Sequence, residues 1–150
     1  MLTPSQQLAT RWKKLGLKVR SGVVLEQLQT FESKYEVILP NDLREYFLTV
    51  DGMEDELDQG TNRFWPIAMI KPVREEFPDV HPDQLAYPDC YLFADHCIWS
   101  FGWAVSIAKV ASATSGPVFQ VTGRESPHCM VAPSFTHFLE KYVKDPRSVL

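Results

Sequence analysis

The chain has 150 residues, of which 45% are apolar and 23% are charged, and its formal net charge is −4. A chain of this length can bury about two thirds of its unfolded surface around one hydrophobic core, and this composition excludes disorder for most of it. No apolar run approaches the roughly 18 residues of a transmembrane helix, and the start lacks the pattern of a secretory signal. The three cysteines are too few for a disulfide framework. We therefore expect a cytoplasmic protein with reduced thiols and no contact with a membrane.

The charges are distributed unevenly along the chain. Residues 1–20 contain five basic residues and no acid, whereas residues 51–95 contain eleven acids and three basic residues, a net charge of −8. Contacts with nucleic-acid phosphates require concentrated lysine and arginine. An acidic chain with an acidic middle therefore argues against nucleic-acid binding and favours a basic partner protein.

The first segment has the pattern of a short amphipathic helix. Leu8, Trp12 and Leu15 are spaced so that they share one face, and Gly16 is expected to end the helix. Because residues 1–21 are basic and contain no acid, they also resemble an organellar transit peptide. We treat residues 1–21 as a basic helix or extension and residues 22–150 as the main domain.

Two further helices are predicted in the first third of the chain. Ser21 is expected to cap the second helix, and Asn41, after Leu39 and Pro40, is expected to cap the third. The third helix should end at Gly52, since glycine readily adopts the left-handed conformation that closes a helix. The apolar stripes at helical spacing are Val24, Leu28, Phe31 and Tyr35 in the second helix and Leu43, Tyr46, Phe47 and Val50 in the third.

The middle of the chain has the features of β-strands. Residues 64–70 are short and apolar and predict an edge strand interrupted by proline, whereas residues 71–88 predict an irregular segment with at most a short helix. A strand at 91–95 precedes the clearest one, 99–107, in which bulky and small side chains alternate. The small face allows another element to approach closely, so we expect both faces of this strand to be covered. A further strand is expected at 118–121.

The end of the chain predicts a helix and completes the fold class. Pro133 and Ser134 form a cap signal, and apolar residues recur at helical spacing from Phe135 to Val143. Helices first, then a block of strands, then a helix is the order of a single-domain α+β fold. We expect a mainly antiparallel mixed sheet, flanked by two or three N-terminal helices and one C-terminal helix.

Several of these segments, taken in order, resemble the SUKH superfamily. Its N-terminal pattern is a helix, then Leu-Pro, then a helix of the Tyr-Phe-Leu type that ends in an Asn-Gly or Asp-Gly turn. Leu39-Pro40, Tyr46-Phe47 and Asp51-Gly52 occupy these places here. The later segments that fit are Phe64-Trp65-Pro66-Ile67, Tyr91 to Asp95, Trp99 to Ile107 and Val131 to Leu139, so the resemblance spans residues 24–143.

The resemblance implies a helix-flanked sheet without a known catalytic centre. It also implies binding of a partner protein, because the superfamily includes bacterial immunity proteins that neutralise a cognate toxin and fungal regulators of cell-wall synthesis. The leading hypothesis is an immunity protein that docks a basic toxin domain. The alternative is a regulatory or scaffold domain that binds an endogenous cytoplasmic protein.

The acidic stretch after the third helix is the first candidate for partner contact. We expect a loop at 51–59, where clustered carboxylates would steer and orient a basic partner; the alternative is a solvated loop without a partner. Trp65, beside a proline at a strand edge, is expected to be exposed, whereas Trp99 and Trp103 are expected in the core. The predicted partner-binding residues are Asp51, Glu54, Asp55, Glu56, Asp58 and Trp65.

The cysteines and histidines suggest a third possibility. His96-Cys97 and His128-Cys129, together with Cys90, could supply nitrogen and sulfur ligands to zinc, or a thiol nucleophile with a histidine base. In an extended strand, however, His96 and Cys97 point to opposite faces and cannot both face one metal. We expect no metal site, no catalytic residue and no cofactor, and keep a small hydrolase or zinc protein as the last alternative to a non-enzymatic binding domain.

Overall fold

The computed structural model describes residues 1–54, 56–58, 60–77, 89–122 and 129–150. The elements in chain order are α1 (Pro4–Lys14), β1 (Val19–Ser21), α2 (Leu25–Tyr35), α3 (Asn41–Thr49), β2 (Val50–Met53), β3 (Asn62–Phe64), a 3₁₀ turn (Ile67–Met69), β4 (Lys71–Pro72), α4 (Val73–Glu76), β5 (Cys90–His96), β6 (Phe101–Ser106), β7 (Val118–Val121), β8 (Met130–Ala132), α5 (Phe135–Lys144) and a second 3₁₀ turn (Pro146–Val149).

Within the described part of the chain, six strands form the main sheet and pair antiparallel throughout. Their order is β3-β5-β6-β7-β8, and β4 also pairs with β5. β1 and β2 form a separate antiparallel pair. With helices before and after the strands, the structure confirms the predicted single-domain α+β fold and its mainly antiparallel sheet.

Aromatic side chains join the helices to this sheet. Phe93 of β5 contacts Phe135 and Phe138 of α5, with ring centroids 5.3 and 5.2 Å apart. Phe64 of β3 contacts Trp12 of α1 at 5.1 Å. Fully burying a phenylalanine contributes about 1.5–3 kcal/mol, so these contacts are a main source of stability. They place α1, α5 and the sheet around one core.

The first helix is therefore an integral part of the fold. The helix predicted from the spacing of Leu8 and Trp12 is confirmed, and both side chains are fully buried. Arg11 donates hydrogen bonds to the backbone carbonyls of Tyr142 and Val143 at the end of α5. These bonds fix the C-terminal halves of α1 and α5 side by side.

The starts of α2 and α3 differ from the predicted caps. Ser21 lies in β1, where it pairs with β2, and α2 instead begins after Val24, whose N–H donates to Gln27 Oε1 at 3.0 Å. Asn41 is already the first residue of α3, and Pro40 precedes it as the N-cap. Both predicted caps are wrong because tertiary strand pairing and the preceding proline decide where the helices begin.

Two other predicted helix boundaries are confirmed, and one is wrong. Gly16 follows the end of α1 as predicted, but α3 ends already at Thr49, and Val50 and Gly52 lie in β2 instead of closing the helix. At the start of α5, the Ser134 hydroxyl accepts a hydrogen bond from the backbone N–H of His137 at 3.2 Å. At the end of α1 and the start of α5, the glycine and serine signals in the sequence were sufficient to predict the boundary.

The predicted edge strand at 64–70 is wrong in its extent. β3 ends at Phe64, and the chain then turns at Ile67–Met69. Pro66 cannot donate to a strand ladder, and the N–H of Ile67 donates to Asp51 Oδ1 at 2.7 Å instead. In the segment predicted to be irregular, 71–88, the structure has the short elements β4 and α4; residues 78–88 lie outside the described residues.

The predicted strands at 91–95 and 118–121 are confirmed as β5 and β7. The strand predicted at 99–107 is shorter, because β6 begins only at Phe101. Its centre is covered on both faces, as expected, since the adjacent Trp103 and Ala104 are both fully buried. Trp99 thus lies in the turn before β6 rather than in the strand.

Candidate partner-binding cleft

A surface cleft lies between the acidic segment after β2 and the turn that joins β5 to β6. Its volume is about 320 Å³. Both apolar and charged side chains line it. The lining residues are Glu56, Leu57, Arg63, Asp95, Ile98 and Trp99.

The β5–β6 turn presents an apolar side chain to solvent at the edge of this cleft. Cys97, Ile98 and Trp99 all have left-handed φ values, of 50°, 51° and 66°. That conformation is unfavourable for a β-branched residue such as Ile98. Hydrogen bonds from Cys97 N–H to Thr61 O and from Ser100 N–H to His96 O, both 2.8 Å long, hold the turn. Ile98 is consequently 83% exposed.

Trp99 forms the aromatic wall of the cleft. It is half-buried, and its ring packs edge-on against Trp65 and Phe77, each 5.8 Å away between centroids. The ring also lies directly over the backbone of Gly102, where an added Cβ would stand 2.6 Å from it. The absence of a side chain at Gly102 therefore sets the position of Trp99.

Asp95 anchors both tryptophans from inside the cleft. One carboxylate oxygen accepts a hydrogen bond from Trp65 Nε1 at 2.6 Å and lies 3.5 Å from Arg63 Nε. The other oxygen accepts from the backbone N–H of Trp99 at 3.3 Å. A hydrogen-bonded charge of this kind holds its neighbours in one geometry, so Asp95 rigidifies the cleft.

Two of the predicted contact residues, Glu54 and Glu56, belong to the acidic segment beside the cleft and are called the acidic rim below. Glu54 is exposed, and Glu56 is half-buried and lines the cleft. Glu56 Oε2 accepts a hydrogen bond from the backbone N–H of Lys18 at 2.8 Å, which ties the acidic segment to the residue before β1. The predicted contact residue Asp55 lies outside the described residues.

The predicted surface position of Asp51 is wrong. Asp51 lies in β2, not in a loop, and its side chain is buried. It accepts hydrogen bonds from Ile67 N–H at 2.7 Å and from Arg20 Nε at 3.3 Å. Burial raises its pKa although both of these bonds act in the opposite direction. Asp51 therefore joins three segments of the fold beneath the surface.

The predicted surface position of Asp58 is wrong as well. Its side chain is only 9% exposed and accepts hydrogen bonds from the N–H groups of Gly60 and Asn62 at 2.9 and 3.0 Å. It also accepts the hydroxyl proton of Tyr142 in α5. Burial, followed by the Asp58 charge, raises the pKa of Tyr142. Asp58 thus closes the turn before β3 and ties it to α5.

The roles of two tryptophans are the reverse of those predicted. Trp65, expected to be exposed, is 3% exposed because its indole N–H reaches the buried Asp95. Trp99, expected in the core, stands half-exposed in the cleft. The sequence analysis did not predict Leu57, Ile98 and Trp99 as contact residues. One signal could have identified them, because they are apolar residues within segments that otherwise have the composition of a loop and a turn.

The candidate metal and nucleophile residues are not gathered into one site in the described structure. His96 lies 2.6 Å from Asn62 Oδ1 and stacks on Phe101, while Cys97 and Cys129 are exposed and Cys90 is buried. Burial and the nearby Asp89 charge raise the pKa of Cys90 to about 12, which keeps its thiol protonated at neutral pH. His128 lies outside the described residues, and those described include no cluster of three metal-binding side chains.

Comparison with known protein families identifies a match. A protein-family model described as the SMI1 / KNR4 family (SUKH-1) matches residues 22–141, which include every residue that lines the cleft but not α1. The match agrees with the resemblance noted over residues 24–143. No curated protein matches the chain. In the described part of the chain, no helix is both long and apolar enough to cross a bilayer.

Proposed function

The chain belongs to the SMI1/KNR4 family (SUKH-1), and from that premise we propose that it is a non-catalytic protein-binding domain and, more specifically, an immunity protein that neutralises a cognate toxin. The family resemblance supplies the class of function. The cleft is the proposed binding surface. The main observation in its favour is that Ile98, beside Trp99, is 83% exposed to solvent.

The cleft has the composition of a protein-binding hot spot. Such sites place a buried aromatic or aliphatic anchor at the centre and polar residues around it. Here Ile98, Leu57 and Trp99 would receive an apolar side chain of the partner. Glu54 and Glu56 would face a lysine or arginine next to it. The positive charge of Arg63 is paired with the Asp95 carboxylate. The negative charges of Glu54 and Glu56 therefore dominate the electrostatics of this surface, and they favour a basic partner.

Inhibition by this domain requires no chemistry of its own. A toxin held against the cleft is blocked where its surface is covered, and a basic active surface is also neutralised by the acidic rim. We place the complex in the cytoplasm, where exposed free thiols such as those of Cys97 and Cys129 stay reduced.

The test begins with the intact chain as bait in an extract of its native cells. Each recovered protein is then expressed with and without the chain, and growth is measured. The proposal predicts recovery of a protein that stops growth alone and is harmless when the chain is present. Recovery of only harmless proteins would support the second candidate, a regulatory domain with an endogenous partner. The fungal cell-wall regulators in the family are the reason for considering this candidate.

A further inference from the structure

A second concave surface lies between α1 and α5. It consists of two adjoining cavities of about 460 and 300 Å³ that share Arg11 and Leu15. α1 precedes the family match at residues 22–141, so this groove depends on a part of the chain that the match does not cover. The α1–α5 groove is lined by Leu2, Arg11, Lys14, Leu15, Val143 and Lys144.

The groove combines an apolar surface with unpaired cations. Leu2 and Leu15 are 53% and 37% exposed there. Lys14 and Lys144 are exposed and have no ion pair with a carboxylate among the described residues. Arg11 donates to carbonyls at the end of α5, so its positive charge offsets the negative end of that helix rather than a side-chain carboxylate.

The two acids beside these cations already have other partners. Asp58 accepts hydrogen bonds from Gly60, Asn62 and Tyr142. Asp145 accepts from the backbone N–H of Arg147 at 3.0 Å and lies 3.6 Å from its side chain. Both carboxylates line the smaller cavity, whereas the described residues that line the larger one include Arg11 and Lys14 but no acid. The larger cavity therefore offers positive charge to an incoming anion.

We propose that the α1–α5 groove is a second docking surface, which takes an acidic segment of a partner protein. An aliphatic side chain of the segment packs on Leu2, Leu15 and Val143. Its carboxylates face Lys14 and Lys144. Other anions fit this surface less well, because a nucleic acid offers no aliphatic side chain for the exposed Leu2 and Leu15 and a flat membrane surface does not enter a concave groove. The groove is independent of the cleft and of the toxin proposal.

The test is a selection of random displayed peptides on the intact chain, followed by affinity measurement on the enriched peptides. We expect enrichment of aspartate or glutamate together with an aliphatic residue. Lys14→Glu should weaken binding of these peptides about tenfold or more, a substantial loss of binding free energy. Lys109→Glu makes the same charge change at an exposed lysine outside the groove and should leave binding unchanged.

Three results would overturn the proposal: no enriched peptide, enriched peptides without acids, or equal effects of Lys14→Glu and Lys109→Glu. Parallel titrations with phosphatidylserine vesicles and with a single-stranded oligonucleotide distinguish the other anions. Tight binding of either one, lost in Lys14→Glu, would assign the groove to a membrane or a nucleic acid instead. None of these outcomes bears on toxin binding at the cleft, which is measured with other variants.

Discussion

At the scale of single residues, Trp12 and Trp103 form a matched pair. Both side chains are fully buried, but Trp103 donates to the Val149 carbonyl at 3.0 Å whereas Trp12 has no acceptor among the described residues. Replacement by phenylalanine removes a similar area from each site. The difference between the two variants therefore reports the hydrogen bond.

Trp103→Phe should lower the free energy of unfolding by about 1–3 kcal/mol more than Trp12→Phe, because only Trp103→Phe leaves a buried carbonyl unsatisfied. Urea unfolding of both variants and the parent chain measures this difference. Equal losses in the two variants would mean that the Trp12 N–H has a partner of comparable strength.

Asp51 predicts a dependence of stability on pH. Burial raises its pKa above the ordinary value of 3.8. A carboxyl group with a raised folded-state pKa binds more protons in the folded than in the unfolded chain, so stability falls as pH rises from the ordinary value through the raised one. Asp51→Asn cannot ionise. The free energy of unfolding of Asp51→Asn minus that of the parent chain should therefore become more positive as the pH rises across that range.

Urea unfolding at a series of pH values, from below the ordinary carboxyl pKa to neutrality, measures this trend. Asp145→Asn, at a half-exposed carboxylate, serves as the control. A stability difference between Asp51→Asn and the parent chain that stays constant or shrinks with rising pH would contradict the assignment of a raised pKa to Asp51.

At the scale of elements, the β5–β6 hairpin positions the aromatic wall of the cleft, because the Trp99 ring packs on the backbone of Gly102. Gly102→Ala would bring a Cβ to 2.6 Å from the Trp99 ring and 3.0 Å from the Ala94 carbonyl. The ring is the part that can move. We expect the Trp99 indole resonance to shift strongly in heteronuclear NMR spectra, while the resonances of Trp12 and Trp103 change little. An unchanged Trp99 resonance would show that Gly102 does not set the ring position.

The accuracy of the sequence predictions depended on how local each signal is. The α5 helix was predictable from its Ser134 cap and apolar stripe, and β5 and β7 from short apolar runs. The strands β1, β2 and β8 were missed, since three or four residues carry little pattern and their pairing is tertiary. The predicted β6 began two residues too early, at Trp99. Trp99 fits the alternation of bulky and small side chains, but its left-handed backbone conformation is not that of a strand.

At the scale of the whole molecule, the order of elements sufficed for the fold class, but the site could not be read from the sequence. Asp51 and Asp58 stand in an acidic stretch, and only the tertiary structure shows that both are buried. Leu57 and Ile98 are distant in sequence and meet in one cleft. Of the predicted contact residues, Glu56 lines the cleft and Glu54 is exposed, so a role of these two in partner contact stays a prediction.

The acidic rim predicts fast association with a basic partner. Glu54→Lys should lower the association rate constant and its dependence on salt, since rim charges act mainly on encounter. Glu140→Lys makes the same charge change at an exposed position of α5 and should have a smaller effect. Surface plasmon resonance at several salt concentrations, with the recovered partner, measures both. Equal rate constants for the two variants would exclude steering by the rim.

The most direct test of the account is the affinity of the recovered partner for Ile98→Asp and Val110→Asp, measured by titration calorimetry. Both residues are exposed aliphatic side chains, 83% and 67% exposed, and only Ile98 lines the cleft. We predict that Ile98→Asp weakens binding about tenfold or more, while Val110→Asp binds like the parent chain. Full affinity in Ile98→Asp would show that the partner docks elsewhere.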